Sequence, residues 1–172
     1  MKSLPKAVFF DRDGTLNVDT GYVHDSENLI WMPGALEIVS DLTAAGWLVF
    51  VVTNQSGVAR GYYTEEEVVK LHEWMNKRFA ENGGHVTEFF YCPHLPEAKI
   101  AKYNITCECR KPGPQMILKA FEYYNIHKNR AFLFGDGKRD IEAAERAGIP
   151  GFLFHGGNIR EFVHNNLPRT KD

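Results

Sequence analysis

Five short apolar runs, separated by segments of helical periodicity, constrain this chain more than any other feature. The runs are Lys6–Phe10, Trp47–Val52, Glu88–Tyr91, Ala131–Phe134 and Gly151–Phe154, and their near-continuous apolar character reads as strands buried on both faces. Between the first two, Gly34–Gly46 carries Ala35, Ile38, Val39, Leu42 and Ala45 at helical spacing, with Gly46 as the stop. Thr64 and Glu67 form a capping-box pattern ahead of a longer helix whose apolar stripe is Val68, Leu71, Met75 and Phe79. Pro114 opens a helix with Ile117, Ala120, Phe121 and Tyr124 inward, and Arg139–Ala147 is a shorter one stopped by Gly148. The order β-α-β-α-β-α-β-α-β predicts an α/β fold: a Rossmann-like parallel sheet with helices on both faces and right-handed crossovers. Internal repeats, low-complexity tracts and long linkers are absent, so a single domain over residues 1–172 is expected.

Charge and cysteine usage narrow the function classes. A formal net charge of -2, with no basic stripe, argues against nucleic acid as a partner. Apolar runs stay far below the roughly 20 residues a bilayer requires, and the first residues lack a signal-peptide pattern, which predicts a soluble, cytoplasmic protein with no membrane partner. The three cysteines crowd between positions 92 and 109, and an odd number cannot all pair within the chain. That points to metal rather than disulfides.

Four polar groups follow four of the strands: Asp11-Arg12-Asp13-Gly14-Thr15, Thr53-Asn54-Gln55-Ser56, Arg110-Lys111-Pro112 and Gly135-Asp136. In a parallel α/β sheet, ligands bind beyond the carboxyl ends of the strands, so these groups should converge on one edge. Asp11, Asp13 and Asp136 placed together would repel unless a cation sat among them, and a hard divalent ion such as Mg²⁺ answers that. Taken singly, each group has a plainer reading. Aspartate and glycine are ordinary turn residues, Thr53 a satisfied loop hydroxyl and Lys111 a solvated charge. Their joint order at the strand ends favours the site.

The run Val8-Phe9-Phe10-Asp11-Arg12-Asp13-Gly14-Thr15 resembles the first motif of the haloacid-dehalogenase-like phosphatases; Thr53 matches the second motif, Lys111 the third, and Asp136 with Asp140 the fourth. The resemblance implies that Asp11 is the nucleophile and forms an aspartyl-phosphate, and that Asp13 is first the general acid and then the general base. It also implies that Thr53 and Lys111 bind the transferring phosphoryl oxygens. Mg²⁺ would be held by Asp11, by the backbone carbonyl of Asp13 and by Asp136. Cap domains in this superfamily are inserted in two intervals, which here hold only one helix and a cysteine-rich loop, so a capless member is expected.

Cys92, His94, Cys107 and Cys109 supply four ligands with the composition of a closed tetrahedral Zn²⁺ site, whose role would be to fix the loop that leads into Arg110-Lys111. Free buried cysteines beside a chance histidine are the alternative. His72, His85, His127 and His155 lack motif context and read as ordinary residues.

Among capless members, the zinc loop resembles that of heptose bisphosphate phosphatases and of histidinol-phosphate phosphatases, and the flanking loops look closer to the former. That resemblance implies a monomer acting on a small phosphorylated sugar, a precursor of lipopolysaccharide or S-layer glycan. Asp19, Thr20, Gly21, Tyr22, Thr53, Asn54, Gln55, Ser56, Arg110 and Lys111 would bind it, with Arg110 gripping a second phosphate in two-point fashion. A phosphoacceptor signalling domain would place its aspartate after the third strand, where Tyr91-Cys92 stands here. A zinc-dependent nucleic-acid module would need more than Lys99, Lys102 and Tyr103 around the loop. One departure stands out: the residue after the fourth-motif aspartate, usually lysine in the heptose enzymes, is Gly137, and Lys138 is the expected replacement cation.

Overall fold

A computed structural model describes residues 3–169. The strands are β1 (Ala7–Phe10), β2 (Leu48–Asn54), β3 (Glu88–Cys92), β4 (Ala131–Gly135) and β5 (Gly151–Leu153), and the helices are α1 (Ala35–Ala44), α2 (Glu65–Glu81), α3 (Gln115–Tyr124), α4 (Lys138–Ala147) and α5 (Ile159–Asn166). The strands form one parallel sheet in the order β3-β2-β1-β4-β5, with Ala7 of β1 in register with Leu48 on one side and Ala131 on the other. Chain direction across the sheet reverses between β1 and β4, and the crevice of such a fold lies at that switch point.

Strand alternation divides the core into two layers. Val8, Phe10, Val49 and Val51 pack with Ile38 and Leu42 of α1, Leu71, Met75 and Phe79 of α2, and Ile159 and Val163 of α5. Ala7, Phe9, Phe50 and Val52 face the opposite way, onto Met116, Ile117 and Ala120 of α3 and Ala143, Ala144 and Ala147 of α4. Every strand residue of β1 is therefore buried, because both faces of the sheet are covered.

The Thr64–Glu67 capping box opens α2 as expected, with Glu67 N–H donating to Thr64 Oγ1 at 3.2 Å and Thr64 N–H to Glu67 Oε2 at 2.7 Å. Several boundaries differ from the sequence reading, most of them by one residue. β2 runs on through Thr53 and Asn54, and β3 through Cys92, because both ends stay paired: Thr53 is in register with Tyr91, and Asn54 with Cys92. Pro114 is the cap of α3 rather than its first residue. The helix α5 was not anticipated. Its buried face is only Ile159 and Val163, a stripe too thin to stand out, and Asn158 caps it by accepting from Glu161 N–H at 3.2 Å.

Candidate active site

β1 delivers Asp11 and Asp13 to the carboxyl edge of the sheet, β2 delivers Thr53 to Gln55, and the turn after β4 delivers Asp136. The approach of the first and last depends on Gly14, which has a left-handed φ of 84°; a Cβ there would collide with the Asp136 carboxylate.

At the centre lies a buried ion cluster. Lys111 Nζ donates to Asp11 Oδ1 at 2.9 Å, to Asp140 Oδ1 at 2.5 Å and to the Val52 carbonyl at 2.7 Å, which uses all three ammonium protons. Asp11 Oδ1 also accepts from Arg12 N–H at 2.8 Å, whereas its Oδ2 is buried without a hydrogen-bond partner. Burial pushes the Asp11 carboxyl well above the usual carboxylate range; Lys111 opposes this, and Asp140 and Asp136 add to it. Burial alone would pull Lys111 down, but the charges of Asp11 and Asp140 outweigh it and carry the ammonium above its ordinary range.

Carboxylate oxygens of Asp11, Asp136 and Asp140 lie within 4.8 Å of one another. Three carboxylates against one ammonium, with an orphaned Asp11 oxygen among them, fit a hard divalent cation held by oxygen. The Asp13 carboxylate is not part of this group. It accepts from Arg12 Nη2 at 3.0 Å, Asn17 Nδ2 at 3.0 Å and Gln55 Nε2 at 3.0 Å.

Sequence reasoning missed what anchors Asp13. The Arg12 guanidinium is completely buried, and besides Asp13 it donates to the Val23 carbonyl at 2.6 Å and faces His72 Nε2 at 3.1 Å. A guanidinium can only donate, so the His72 nitrogen is the acceptor. Burial, with the Arg12 charge adding to it, lowers the His72 pKa well below the imidazole norm and keeps the ring neutral. His72 stacks on Phe89 with ring centroids 4.5 Å apart. The signal was its place one residue after Leu71, on the buried stripe of α2.

Asp19, Gly21, Tyr22, Asn54, Gln55, Ser56 and Arg110 line one cavity of about 360 Å³ together with Asp13. Thr20 is not on its wall, and Thr53 and Lys111 lie buried beneath it. Thr53 Oγ1 accepts from Gln55 Nε2 at 2.9 Å. The Asn54 side chain is committed to the backbone of Lys111, donating to its carbonyl at 3.1 Å and accepting from its N–H at 2.9 Å. The same cavity also takes Arg60, Tyr63 and Arg139, which the sequence reading left out. Tyr63 donates to Gln55 Oε1 at 2.6 Å, and burial raises its phenol to about 12. Lys138, expected in the place of the missing lysine, is not there: its side chain is 90% exposed and its Nζ lies 3.8 Å from Glu142, one helical turn on. A residue at the first turn of α4 points about 100° away from its predecessor, too far for the replacement.

Cys92, His94, Cys107 and Cys109 come together as a possible metal site, their ligating atoms within 4.8 Å of one another. His94 Nδ1 lies 3.2 Å from Cys107 Sγ and 3.3 Å from Cys109 Sγ. Three thiols and an imidazole around one point suit zinc, a borderline-soft ion. Glu65 of α2 braces the same loop, accepting from Tyr91 Oη at 2.9 Å and Tyr103 Oη at 2.7 Å. Among the described residues, no helix is long and apolar enough to cross a membrane.

Comparison with known proteins agrees with this geometry. The HAD-hydrolase-like family model matches residues 108–170. The chain is 45% identical over 161 residues to the D-glycero-beta-D-manno-heptose-1,7-bisphosphate 7-phosphatase of Rhodopseudomonas palustris, covering 94% of this chain and 89% of that protein. It is 40% identical over 148 residues to the enzyme of the same name from Escherichia coli K12, covering 86% and 77%. The crystal structure of D,D-heptose 1,7-bisphosphate phosphatase from B. bronchiseptica, complexed with magnesium and phosphate, superposes with a TM-score of 0.79 at 35% identity, covering 95% of this chain and 88% of that one. On identity and coverage of this extent, the chain belongs to the haloacid-dehalogenase-like hydrolases, in the family of the D-glycero-beta-D-manno-heptose-1,7-bisphosphate 7-phosphatases.

Proposed function

We propose that this protein is a Mg²⁺-dependent phosphatase that removes the C7 phosphate of D-glycero-D-manno-heptose 1,7-bisphosphate and leaves the 1-phosphate, in the cytoplasm. The observation that carries the reading is the Asp11–Lys111–Asp140 cluster beneath a cavity whose wall includes Asp13, in a chain 45% identical to enzymes of that name. Asp11 attacks phosphorus through a carboxylate oxygen; the bond from phosphorus to the C7 oxygen breaks, and an aspartyl-phosphate remains. Asp13 protonates the departing oxygen and then takes a proton from the water that releases inorganic phosphate. To do so its carboxylate must give up one of the three side chains that hold it in the resting structure. Thr53 and Lys111 bind the phosphoryl oxygens, for which the Lys111 ammonium must turn one of its three protons away from its resting acceptors, while Asn54 fixes the Lys111 backbone from which it projects. Asp11, the Asp13 carbonyl and Asp136 hold Mg²⁺, which when bound neutralises charge on the transferring group. Zn²⁺ held by Cys92, His94, Cys107 and Cys109 stiffens the loop ahead of Arg110.

Histidinol phosphate, the alternative substrate, carries an ammonium. Three arginines on the cavity wall suit a second anion instead. The test is phosphate release by zinc-replete protein with Mg²⁺ from the heptose bisphosphate and from histidinol phosphate. A higher kcat/KM on histidinol phosphate would overturn the substrate assignment.

A further inference from the structure

Arg60, Arg110 and Arg139 reach the same cavity from three separate segments: the loop after β2, the end of the cysteine-rich loop and the first turn of α4. Among the described residues, no ion pair joins any of the three to a carboxylate. Arg110 is half-buried, its Nη1 has no hydrogen-bond partner, and burial together with the nearby charges of Arg139 and Arg60 lowers its pKa. Arg60 lies over the Tyr22 ring, 5.8 Å from its centroid, so an aromatic face rather than an acid holds it. Asp19 and the Arg12-bound Asp13 share the wall without pairing to any of the three, and three like charges there repel one another and favour the entry of an anion of high charge.

Arg139 lies against Gly137. A Cβ built on Gly137 would lie 3.7 Å from Arg139 Cγ and 3.9 Å from Arg139 Nε, ordinary van der Waals contact, so the arginine side chain runs alongside the glycine. Lys138, next to it, faces solvent. α4 therefore presents one cation to the cavity, from position 139.

We propose that Arg139 is a substrate-binding residue that determines specificity: with Arg110 and Arg60 it holds the phosphate of the substrate that is not transferred. The proposal rests on the bisphosphate reading above and adds a residue and a charge requirement to it. A guanidinium grips a phosphate dianion with paired N–H donors, and three of them around one dianion make preference for a bisphosphate over the corresponding monophosphate their principal effect.

The experiment compares kcat/KM for heptose 1,7-bisphosphate and heptose 7-phosphate in wild type, Arg139→Ala, Arg139→Lys, Arg139→Glu and Lys138→Ala. Arg139→Ala should lower the bisphosphate-to-monophosphate ratio about tenfold, the range for one lost charge-assisted contact at a partly exposed site. Arg139→Lys should restore part of the ratio, Arg139→Glu should lower it further, and Lys138→Ala should leave it where it was. High salt should shrink the wild-type ratio towards that of Arg139→Ala. Equal losses on both substrates, or no loss on either, would overturn the role given to Arg139. A wild type that hydrolyses the monophosphate but not the bisphosphate overturns the heptose bisphosphate reading instead. In that case the bisphosphate is tested as an inhibitor of monophosphate hydrolysis, and an inhibition constant unchanged by Arg139→Ala would overturn the arginine site as well.

Discussion

Replacing Asp140 by asparagine keeps its size and leaves an oxygen able to accept from Gly137 N–H, as Asp140 Oδ2 does at 3.0 Å, but removes the charge that faces Lys111. The Lys111 side chain is 1% exposed and that of Asp140 0%, so water cannot take over. At an effective dielectric constant of about 20, the attraction across 2.5 Å is worth about 6.6 kcal/mol. Against it stands the repulsion between Asp140 and Asp11, whose oxygens lie within 4.8 Å; that separation gives at least about 3.5 kcal/mol. The difference, less about 1 kcal/mol for the water-screened repulsion from the exposed Asp136 within the same 4.8 Å, is a loss of about 2 kcal/mol, below the range for breaking a fully buried pair because Lys111 keeps Asp11. In a chain of this length it corresponds to a fall in Tm of about 4–8 °C. Urea unfolding monitored by circular dichroism, with a thermal scan in parallel, measures it. A single variant within about 0.5 kcal/mol of wild type would refute the reasoning, because Lys111 would then have found another partner or solvent.

Asp11→Asn should reduce turnover below about 1% of wild type while zinc content and folding persist; substantially retained phosphatase activity would remove Asp11 from the nucleophile's role. Asp13→Asn should slow turnover at least about 100-fold, the size of a lost proton donor, read in steady-state assays. Withholding and restoring Mg²⁺ in zinc-replete protein should switch activity off and on, and activity indifferent to Mg²⁺ would contradict the cation assignment. Cys107→Ser or Cys109→Ser should lower zinc stoichiometry by elemental analysis and lower Tm, whereas wild type purified without chelators and free of zinc would dismiss the zinc site. His72 stays neutral in the fold because its pKa is lowered there, so below about pH 6.5 the unfolded chain binds the extra proton; stability should fall with acidification by up to about 1.4 kcal/mol per pH unit. His72→Gln should flatten that slope, and an unchanged slope would place the titration elsewhere.

Periodicity made most of the fold legible. The strands were visible because burial on both faces leaves near-continuous apolar runs, and α2 was visible because its cap and stripe coincide. α5 stayed hidden because two buried side chains make no period. The convergence of Asp11, Thr53, Lys111 and Asp136 could be read from their place after successive strands, since topology carries all of them to one edge. What could not be read was where side chains turn once there. Asn54 lies on the cavity wall, and its side chain also binds the backbone of Lys111, which the sequence does not signal. Lys138 looked like a replacement cation and faces solvent, while Arg139 enters the cavity. His72, set aside as ordinary, lies behind Arg12. Such choices depend on rotamers and on neighbours distant in sequence, for which a linear pattern holds no signal.

The order of strands also bears on when the protein becomes active during synthesis. β1 is the middle strand of the sheet and is translated first, yet one of its two neighbours, β4, starts at Ala131. Until that segment leaves the ribosome, β1 has an open edge and Asp11 lacks both Asp136 and the Asp140 that holds Lys111 beside it. The non-local closure makes slow folding the expectation. A nascent chain stalled anywhere before β4 would therefore carry Asp11, the proposed nucleophile, without the groups that surround it, and with an exposed apolar strand edge open to aggregation.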